Sequence, residues 1–302
     1  MKSGLAEYFQ ELMDSYRTRF VATTDKPNES AEATLRGLWL CAAGNPVSAE
    51  AALTMELPPL THESRLKFEE LLKQRENGIP LAYLIGRQRF MGLEYICTSQ
   101  ALIPRKETEI LGNAVCGLFK SEIRLREGPA RVLDLCTGSG NLACAIALHC
   151  PVSVVFGVDI SAEAIELATV NAQQLGCGDR VKFSCGDLFA PFESPQFHEF
   201  FDLIVCNPPY IDPSKLPSMS PEIIAHEPKL AFDGGPLGVR ILWRLLQDAH
   251  RFLKPGGWLA FEVGLGQGDG IVRRLLRNPH FINVQGVRDA AGNIRAIVGQ
   301  LK

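Results

Sequence analysis

Val132-Leu133-Asp134-Leu135-Cys136-Thr137-Gly138-Ser139-Gly140-Asn141 is the stretch whose reading decides the fold. Val132 to Leu135, apolar apart from Asp134, reads as a buried strand. Thr137 to Gly140 then turns the chain into a helix. Glycines at such a turn tolerate positive φ and let backbone pass close to a ligand. In an open α/β sheet, ligands bind beyond the carboxyl ends of the strands, which is where this turn falls. Gly138, Gly140 and Ala143 also satisfy the G-x-G-x-x-A spacing of dinucleotide sites, so the loop alone does not say which nucleoside-type cofactor it serves.

Downstream, the same alternation repeats. Val154 to Val158 predicts the next strand. Ser161 caps a helix that turns Ala164, Ile165, Leu167 and Ala168 inward. Val181 to Phe183 and Phe201 to Cys206 predict two further strands. Leu237 to Leu253 predicts a helix broken by Pro255-Gly256-Gly257, followed by a strand over Trp258 to Val263 and a helix over Ile271 to Arg277. The chain closes with strands over Phe281–Val287 and Ile294–Leu301, joined by Ala291-Gly292-Asn293. Strands alternating with helices imply a mostly parallel, doubly wound sheet, and the closing hairpin implies one antiparallel strand at its end.

Upstream, the periodicity is helical. Leu5, Tyr8, Phe9, Leu12, Met13, Tyr16 and Phe20 make one apolar stripe. Ala31 to Ala43 is a second helix, stopped by Gly44-Asn45-Pro46. A third runs from Thr61, its N-cap, to Asn77, with Gly78 at the stop. Arg87 to Pro104 reads as a hairpin with its turn at Phe90-Met91-Gly92-Leu93, and Ile110 to Phe119 restores helical spacing.

The net charge of −3 offers no basic surplus of the kind that phosphate binding usually demands, so stable nucleic-acid binding is not expected. The nine cysteines form no C-x-x-C pair and no zinc spacing, so no metal is expected, and reduced thiols in a cytoplasmic protein are the simplest reading. The charged N-terminal stretch does not resemble a signal peptide, and no apolar run approaches the ~20 residues that a membrane span needs.

Three features carry chemistry. Asp159 ends the second strand, where a carboxylate can hold ribose hydroxyls. Asp187-Leu188-Phe189 follows the third strand and would frame a flat ring. Asn207-Pro208-Pro209-Tyr210 ends the fourth strand, and its consecutive prolines cannot continue a sheet ladder. An amide or aryl amine has its lone pair delocalised, so it becomes nucleophilic only when acceptors hold its N–H hydrogens in line. The Asn207 side-chain oxygen and the Pro208 carbonyl are suitable acceptors, and Tyr210 can stack on the planar group. The tetrapeptide therefore suits transfer of a methyl group to a planar nitrogen.

With these residues in place, the chain resembles the HemK/PrmC-like family, the glutamine methyltransferases of translation release factors. The resemblance rests on Ile79 to Gly86, Phe90 to Leu93, Leu102 to Glu109, Asp134 to Gly140, Asp159 to Ser161, Asp187 to Phe189, Asn207 to Ile211, Glu227-Pro228, Gly234-Gly235 and Phe261 to Gly264. It implies an α/β fold: a seven-stranded Rossmann-like class I methyltransferase domain over residues 105–302, a small N-terminal helical substrate-docking domain over 1–82, and a β-hairpin linker over 83–104. It implies S-adenosylmethionine as cofactor, held by Cys136, Thr137, Gly138, Ser139, Gly140, Asp159, Asp187, Leu188 and Asn207. Asn207, Pro208, Pro209 and Tyr210 would hold the glutamine amide of a Gly-Gly-Gln loop in a peptide chain release factor. A monomer is expected. The family usually has Pro where Lys106 stands and Asp-Gly where Pro236-Leu237-Gly238 follows the glycine pair, and the helices before Gly78 match it poorly. The alternatives are an exocyclic-amine (adenine) methyltransferase acting on DNA or RNA, and a family member that methylates another protein or a small amine.

Overall fold

The computed structural model describes residues 2–21, 26, 29–123 and 128–302, with side chains from residue 7 onward. Leu5, which the periodicity places on the first apolar stripe, lies outside the described side chains. The chain forms two compact units. One comprises Met1–Ser99 with Ser220–His226, and the other Gln100–Met219 with Glu227–Lys302.

The first unit holds helices α1 (Lys2–Arg17), α2 (Ala31–Ala42), α3 (Ala49–Ala52), α4 (His62–Glu76) and α5 (Leu81–Ile85), then the hairpin β1 (Arg87–Phe90) and β2 (Leu93–Ile96). The Thr61 hydroxyl accepts from the Ser64 amide at 3.1 Å and so caps α4, while Gly78 at φ +87° follows its end. Trp39 on α2 is the centre of this core. Its ring lies 5.4 Å from that of Phe68 and 5.8 Å from that of Phe9, and its indole N–H donates to the Pro58 carbonyl at 2.8 Å. The buried aromatic thus keeps its polar atom satisfied. The hairpin turns at Met91 and Gly92, both at positive φ as a tight two-residue turn requires.

The second unit is built on one sheet. In chain order it holds α6 (Thr108–Leu118), β3 (Ala130–Leu135), α7 (Asn141–His149), β4 (Ser153–Asp159), α8 (Ala162–Gln174), β5 (Val181–Cys185) and β6 (Phe201–Cys206). After α9 (Pro221–His226), which belongs with the first unit, come α10 (Arg240–Phe252), β7 (Leu253–Glu262), α11 (Gly268–Leu276), β8 (Phe281–Arg288) and β9 (Ile294–Leu301). The strand order is β5-β4-β3-β6-β7-β9-β8. β9 runs antiparallel to both of its neighbours, and the pairings among β3 to β7 are parallel. β3, β6 and the second half of β7 are almost wholly buried, as strands covered on both faces must be. Leu242, Leu245, Leu246, Ala249 and Phe252 recur at helical spacing on α10 and are buried. Each such leucine contributes about 1.5–3 kcal/mol through lost contact with water.

Three expectations are corrected. The units do not divide at residues 82 and 104: the hairpin groups with the helices, β1 packing on α3 and α5, and Ser220–His226 returns to the first unit. That return is stitched by charge. Glu222 accepts from Lys26, and from Arg75 at 2.6 Å, while Arg75 also bonds Glu29 at 3.2 Å. The helix expected from Leu237 starts only at Arg240, because Leu237 sits at φ +59°. Asp212 accepts from its amide and the Gln267 side chain donates to its carbonyl, so tertiary bonds override helix propensity there. Finally, Pro255-Gly256-Gly257 lies inside β7 rather than before it. The pairing jumps from Phe201↔Leu253 to Leu203↔Trp258, so the extra residues form a bulge that a proline can occupy.

Candidate active site

β3 and β6 are parallel neighbours, with Leu135 opposite Cys206. The chain leaves β3 toward β4 on one side, and returns from β5 to β6 on the other. The loops after β3 and β6 therefore splay apart, which opens a crevice at the carboxyl end of the sheet. A cavity of about 420 Å³ fills it. Cys136, Thr137, Gly138, Ser139, Asp159, Asp187, Leu188, Asn207 and Pro209 line it. Gly140, Pro208 and Tyr210, also expected in the site, are not among the lining residues. Gly140 instead starts α7 at φ +75°, and a Cβ there would stand 2.9 Å from the Phe183 ring and 3.0 Å from the Ala168 Cβ. Its glycine is demanded by packing behind the loop.

The loop is held by its own side chains. The Thr137 hydroxyl donates to Asp134 Oδ2 at 2.6 Å, and the Ala143 amide donates to the same oxygen at 3.1 Å. Asp134 is fully buried, and burial pushes its carboxyl up to about 7 against these bonds. Asp159 braces the loop from β4. Its Oδ2 accepts from the Gly138 amide at 2.9 Å and its Oδ1 from the Ser161 amide at 3.0 Å. Burial raises this carboxyl, and the backbone bonds oppose the rise. From α8, buried Asn171 donates to the Ser139 carbonyl at 3.0 Å. Cys136 and Leu188 both take positive φ, 58° and 51°, although neither is glycine. Such backbone is strained and persists only where its surroundings enforce it, which is a common feature of ligand sites.

Across the cavity, the Asn207 amide nitrogen donates to the Thr108 hydroxyl at 3.1 Å. That leaves the Asn207 oxygen without this restraint and available as an acceptor. Pro208 is buried and Pro209 lines the cavity. The Tyr210 hydroxyl donates to Glu262 Oε1 at 3.0 Å. Burial, then the Glu262 charge, pushes the Tyr210 hydroxyl well above its ordinary range, so it stays protonated. The tetrapeptide backbone is closely packed from outside. A Cβ on Gly238 would fall 2.0 Å from the Tyr210 carbonyl oxygen, to which Gln267 donates at 3.2 Å. On the rim, Glu227 binds Arg105 at 2.5 Å and accepts from the Ile103 amide at 3.2 Å, which fixes the approach from the Leu102–Arg105 side.

Sequence reasoning singled out nine residues of the cavity wall, but not Thr108, Leu142, Ile160 or Ile241, which also line it, nor the buried supports behind them. Asp134, Thr108 and Glu262 stand inside quoted motifs without an assigned role. Each is a polar residue embedded in an apolar run or at a helix start, and burial of such residues demands a partner. Asn171 carries the same signal: it is one polar residue on the buried face of α8.

S-adenosylmethionine fits these residues. A Cβ on Gly138 would meet nothing within 4 Å, so the backbone there is open to a ligand. Asp159 offers a carboxylate for hydroxyls. Leu142, Val158, Ile160 and Leu188 give apolar walls for a flat ring. Among the described residues no cluster of His, Cys, Asp or Glu could hold a metal ion, and no helix is long and apolar enough to cross a membrane.

Fold and site together define a class I methyltransferase. Residues 127–264 match the family model described as a methyltransferase domain, and residues 16–86 match the PrmC N-terminal domain. The second match corrects the expectation that the N-terminal helices depart from the family. A release factor glutamine methyltransferase of Moorella thermoacetica is 34% identical over 96% of this chain and 96% of its own. Another, from Gloeobacter violaceus, is 36% identical over 80% of this chain and 82% of its own. A human Mettl16 catalytic domain, solved with a MAT2A 3′UTR hairpin, shares the fold at TM-score 0.54 and 15% identity, over 74% of this chain and 81% of that one. The chain belongs to the release factor glutamine methyltransferase family. Its cofactor is S-adenosylmethionine.

Proposed function

We propose that this enzyme methylates the side-chain amide nitrogen of the glutamine in the Gly-Gly-Gln loop of a peptide chain release factor. One observation carries the reading. Asn207 stands at the end of β6, on the cofactor cavity, with its amide nitrogen held by Thr108 and its oxygen left to accept. S-adenosylmethionine supplies an activated methyl group on a sulfonium. The chain supplies position. An amide nitrogen is a poor nucleophile, and it improves when its N–H bonds are held so that the lone pair is less engaged with the carbonyl. Asn207 Oδ1 and the Pro208 carbonyl are the acceptors for those N–H groups. Pro209 walls the site and limits how the planar group can turn. Orienting a bound reactant in this way can contribute a large share of the rate.

The first unit supplies the rest of the binding energy. A lone amide side chain offers few contacts, so remote docking must orient it. The docking role belongs to residues 1–99 with 220–226, the part not needed to build the cofactor cavity. A monomeric protein of the cytoplasm fits this role, since release factors act there. Mass spectrometry of a release factor after incubation with the enzyme and S-adenosylmethionine tests the reading. One methyl group on the Gly-Gly-Gln glutamine is expected, with none on free glutamine. Efficient methylation of an adenine-containing oligonucleotide, with the release factor unmodified, would overturn it.

A further inference from the structure

Two of the cysteines stand thiol to thiol outside the cofactor cavity. Cys116 lies in the last turn of α6, and Cys150 directly follows α7. The Cys150 thiol donates to Cys116 Sγ at 3.9 Å. Neither residue lines the cavity, and the methyl transfer has no use for them.

The two thiols differ in character. Cys150 is 5% exposed, and its backbone is pinned. Its amide donates to the Ile146 carbonyl at 2.8 Å, while its carbonyl accepts from the Ser153 amide at 3.0 Å and the Ser153 hydroxyl at 2.7 Å. Cys116 is half-buried, and Lys120 follows it one helical turn later. The hydrogen bond from Cys150 lowers the Cys116 thiol below its ordinary value, with burial opposing and the Lys120 ammonium assisting. An accessible thiol that ionises readily, with a second thiol in contact behind it, is the arrangement that reversible cysteine oxidation requires.

We propose that Cys116 and Cys150 form a reversible oxidation site, which a hydroperoxide closes to a disulfide between α6 and α7. The Cys116 thiolate attacks one peroxide oxygen, and the O–O bond breaks. The departing oxygen takes up the thiol proton and leaves as water or an alcohol, and Cys116 becomes a sulfenic acid. The Cys150 sulfur then attacks Cys116 Sγ. The S–O bond breaks, the S–S bond forms, and the hydroxyl leaves with the Cys150 proton as water. The peroxide gains two electrons and the two thiols lose them. Two equivalents of a small thiol reverse the reaction and end as their own disulfide, so the bridge suits a compartment in which disulfides are transient.

Closing the bridge reaches the active site through α6. The sulfurs must approach from 3.9 Å to ~2 Å. With Cys150 pinned, the movement falls on Cys116 and its helix. Thr108 starts that helix, and its hydroxyl accepts from the Asn207 amide nitrogen at 3.1 Å. A displacement of ~1 Å at a residue that orients the reacting group can cost about 10²-fold in rate. Oxidation should therefore lower kcat by about tenfold or more. The oxidation site itself is independent of the substrate, whereas its effect on kcat rests on the reading that Asn207 binds the substrate amide.

The test exposes the reduced full-length protein to hydrogen peroxide, blocks the remaining thiols with N-ethylmaleimide, and maps the digest by mass spectrometry without reduction. A peptide cross-linked through Cys116 and Cys150 is expected, and dithiothreitol should remove it. Exposed Cys185 is the internal control. If Cys185 is oxidised while Cys116 and Cys150 both carry N-ethylmaleimide, the proposal is overturned, as it is if Cys116 pairs with a different cysteine. In Cys150→Ser, Cys116 should stop at the sulfenic acid and be trapped by dimedone. Turnover on a release factor supplies the second readout. The cross-linked wild type should lose kcat and regain it with dithiothreitol, and Cys116→Ser should keep its kcat through the same peroxide treatment. A cross-linked enzyme with unchanged kcat overturns the link from this site to Asn207. If the reduced wild type leaves the release factor unmodified, the substrate reading is wrong, and the peptide map still decides the oxidation site.

Discussion

Asp159→Asn separates two roles that one carboxylate can play. The side chain keeps its size, but one of its two acceptor oxygens becomes a donor. In the wild type, Oδ2 accepts from Gly138 and Oδ1 from Ser161, at 2.9 and 3.0 Å. Asparagine can serve only one of these amides, and its NH₂ would face the N–H of the other. A hydrogen bond to a charged group contributes about 1.5–3 kcal/mol net. If that loss falls on the form of the loop that binds cofactor, affinity drops by roughly 10- to 150-fold at ~1.4 kcal/mol per decade. Titration calorimetry with S-adenosylhomocysteine at neutral pH measures the drop. Hydrogen exchange at the Gly138 amide, with no ligand present, isolates the brace from any contact to ribose: exchange should quicken in the variant. An unchanged Gly138 exchange rate together with affinity within threefold of wild type would refute the reasoning.

Other outcomes follow from the same structure. Asn207→Ala should lower kcat by about 10²-fold or more while barely changing the urea midpoint, because it removes an acceptor aimed at the reacting group. Tyr210→Phe should cost about 1–3 kcal/mol in urea unfolding, since it leaves the buried Glu262 carboxylate short of a donor. Glu222→Gln should cost about 3 kcal/mol near pH 7, because it strands Lys26 and Arg75 beside each other with little water. Burial pushes the Glu222 carboxyl up, but Lys26 and Arg75 hold it below its ordinary value. Its stabilisation is thus present above the ordinary glutamate range and is lost as pH falls through the lowered folded value. The gap between wild type and Glu222→Gln should narrow in urea melts taken at low pH. Leu237→Asn should raise stability by about 0.5–1 kcal/mol, since Leu237 is 75% exposed in a left-handed conformation that asparagine tolerates better.

The sheet was legible because its signals are local. Phe201 to Cys206 is an apolar run interrupted only by Asp202 and ended by Asn207-Pro208-Pro209, and the strand has those bounds. Thr61 and Ser161 announced their helices by capping chemistry, and both side chains accept the expected amide bonds. The supports were less legible because they act across the sheet. Nothing near Glu262 in sequence names Tyr210 as its partner. Leu237 failed for a related reason: apolar spacing continues the helix pattern upstream to it, while Asp212 and Gln267, each about 25 to 30 residues away, hold it outside the helix. The division of the chain was obscured by α9, only six residues long, which no local pattern marks as belonging with the first unit.

Because α9 belongs to the first unit while its flanking segments belong to the second, the polypeptide passes from one unit to the other at three places: after Ser99, before Ser220 and after His226. The first unit is therefore not a module that a single cut can free. A truncation that removes residues 1–99 exports an orphan: Glu222 loses both cations, and buried Ile223 loses the body it folds with. The same holds in reverse for anyone grafting this recognition unit onto another methyltransferase, since the transplant works only if a seven-residue island from the recipient's own sequence is rewritten to Ser220–His226. Recombination within the family faces that constraint too, because a crossover near residue 100 exchanges most of the first unit and leaves its last piece behind.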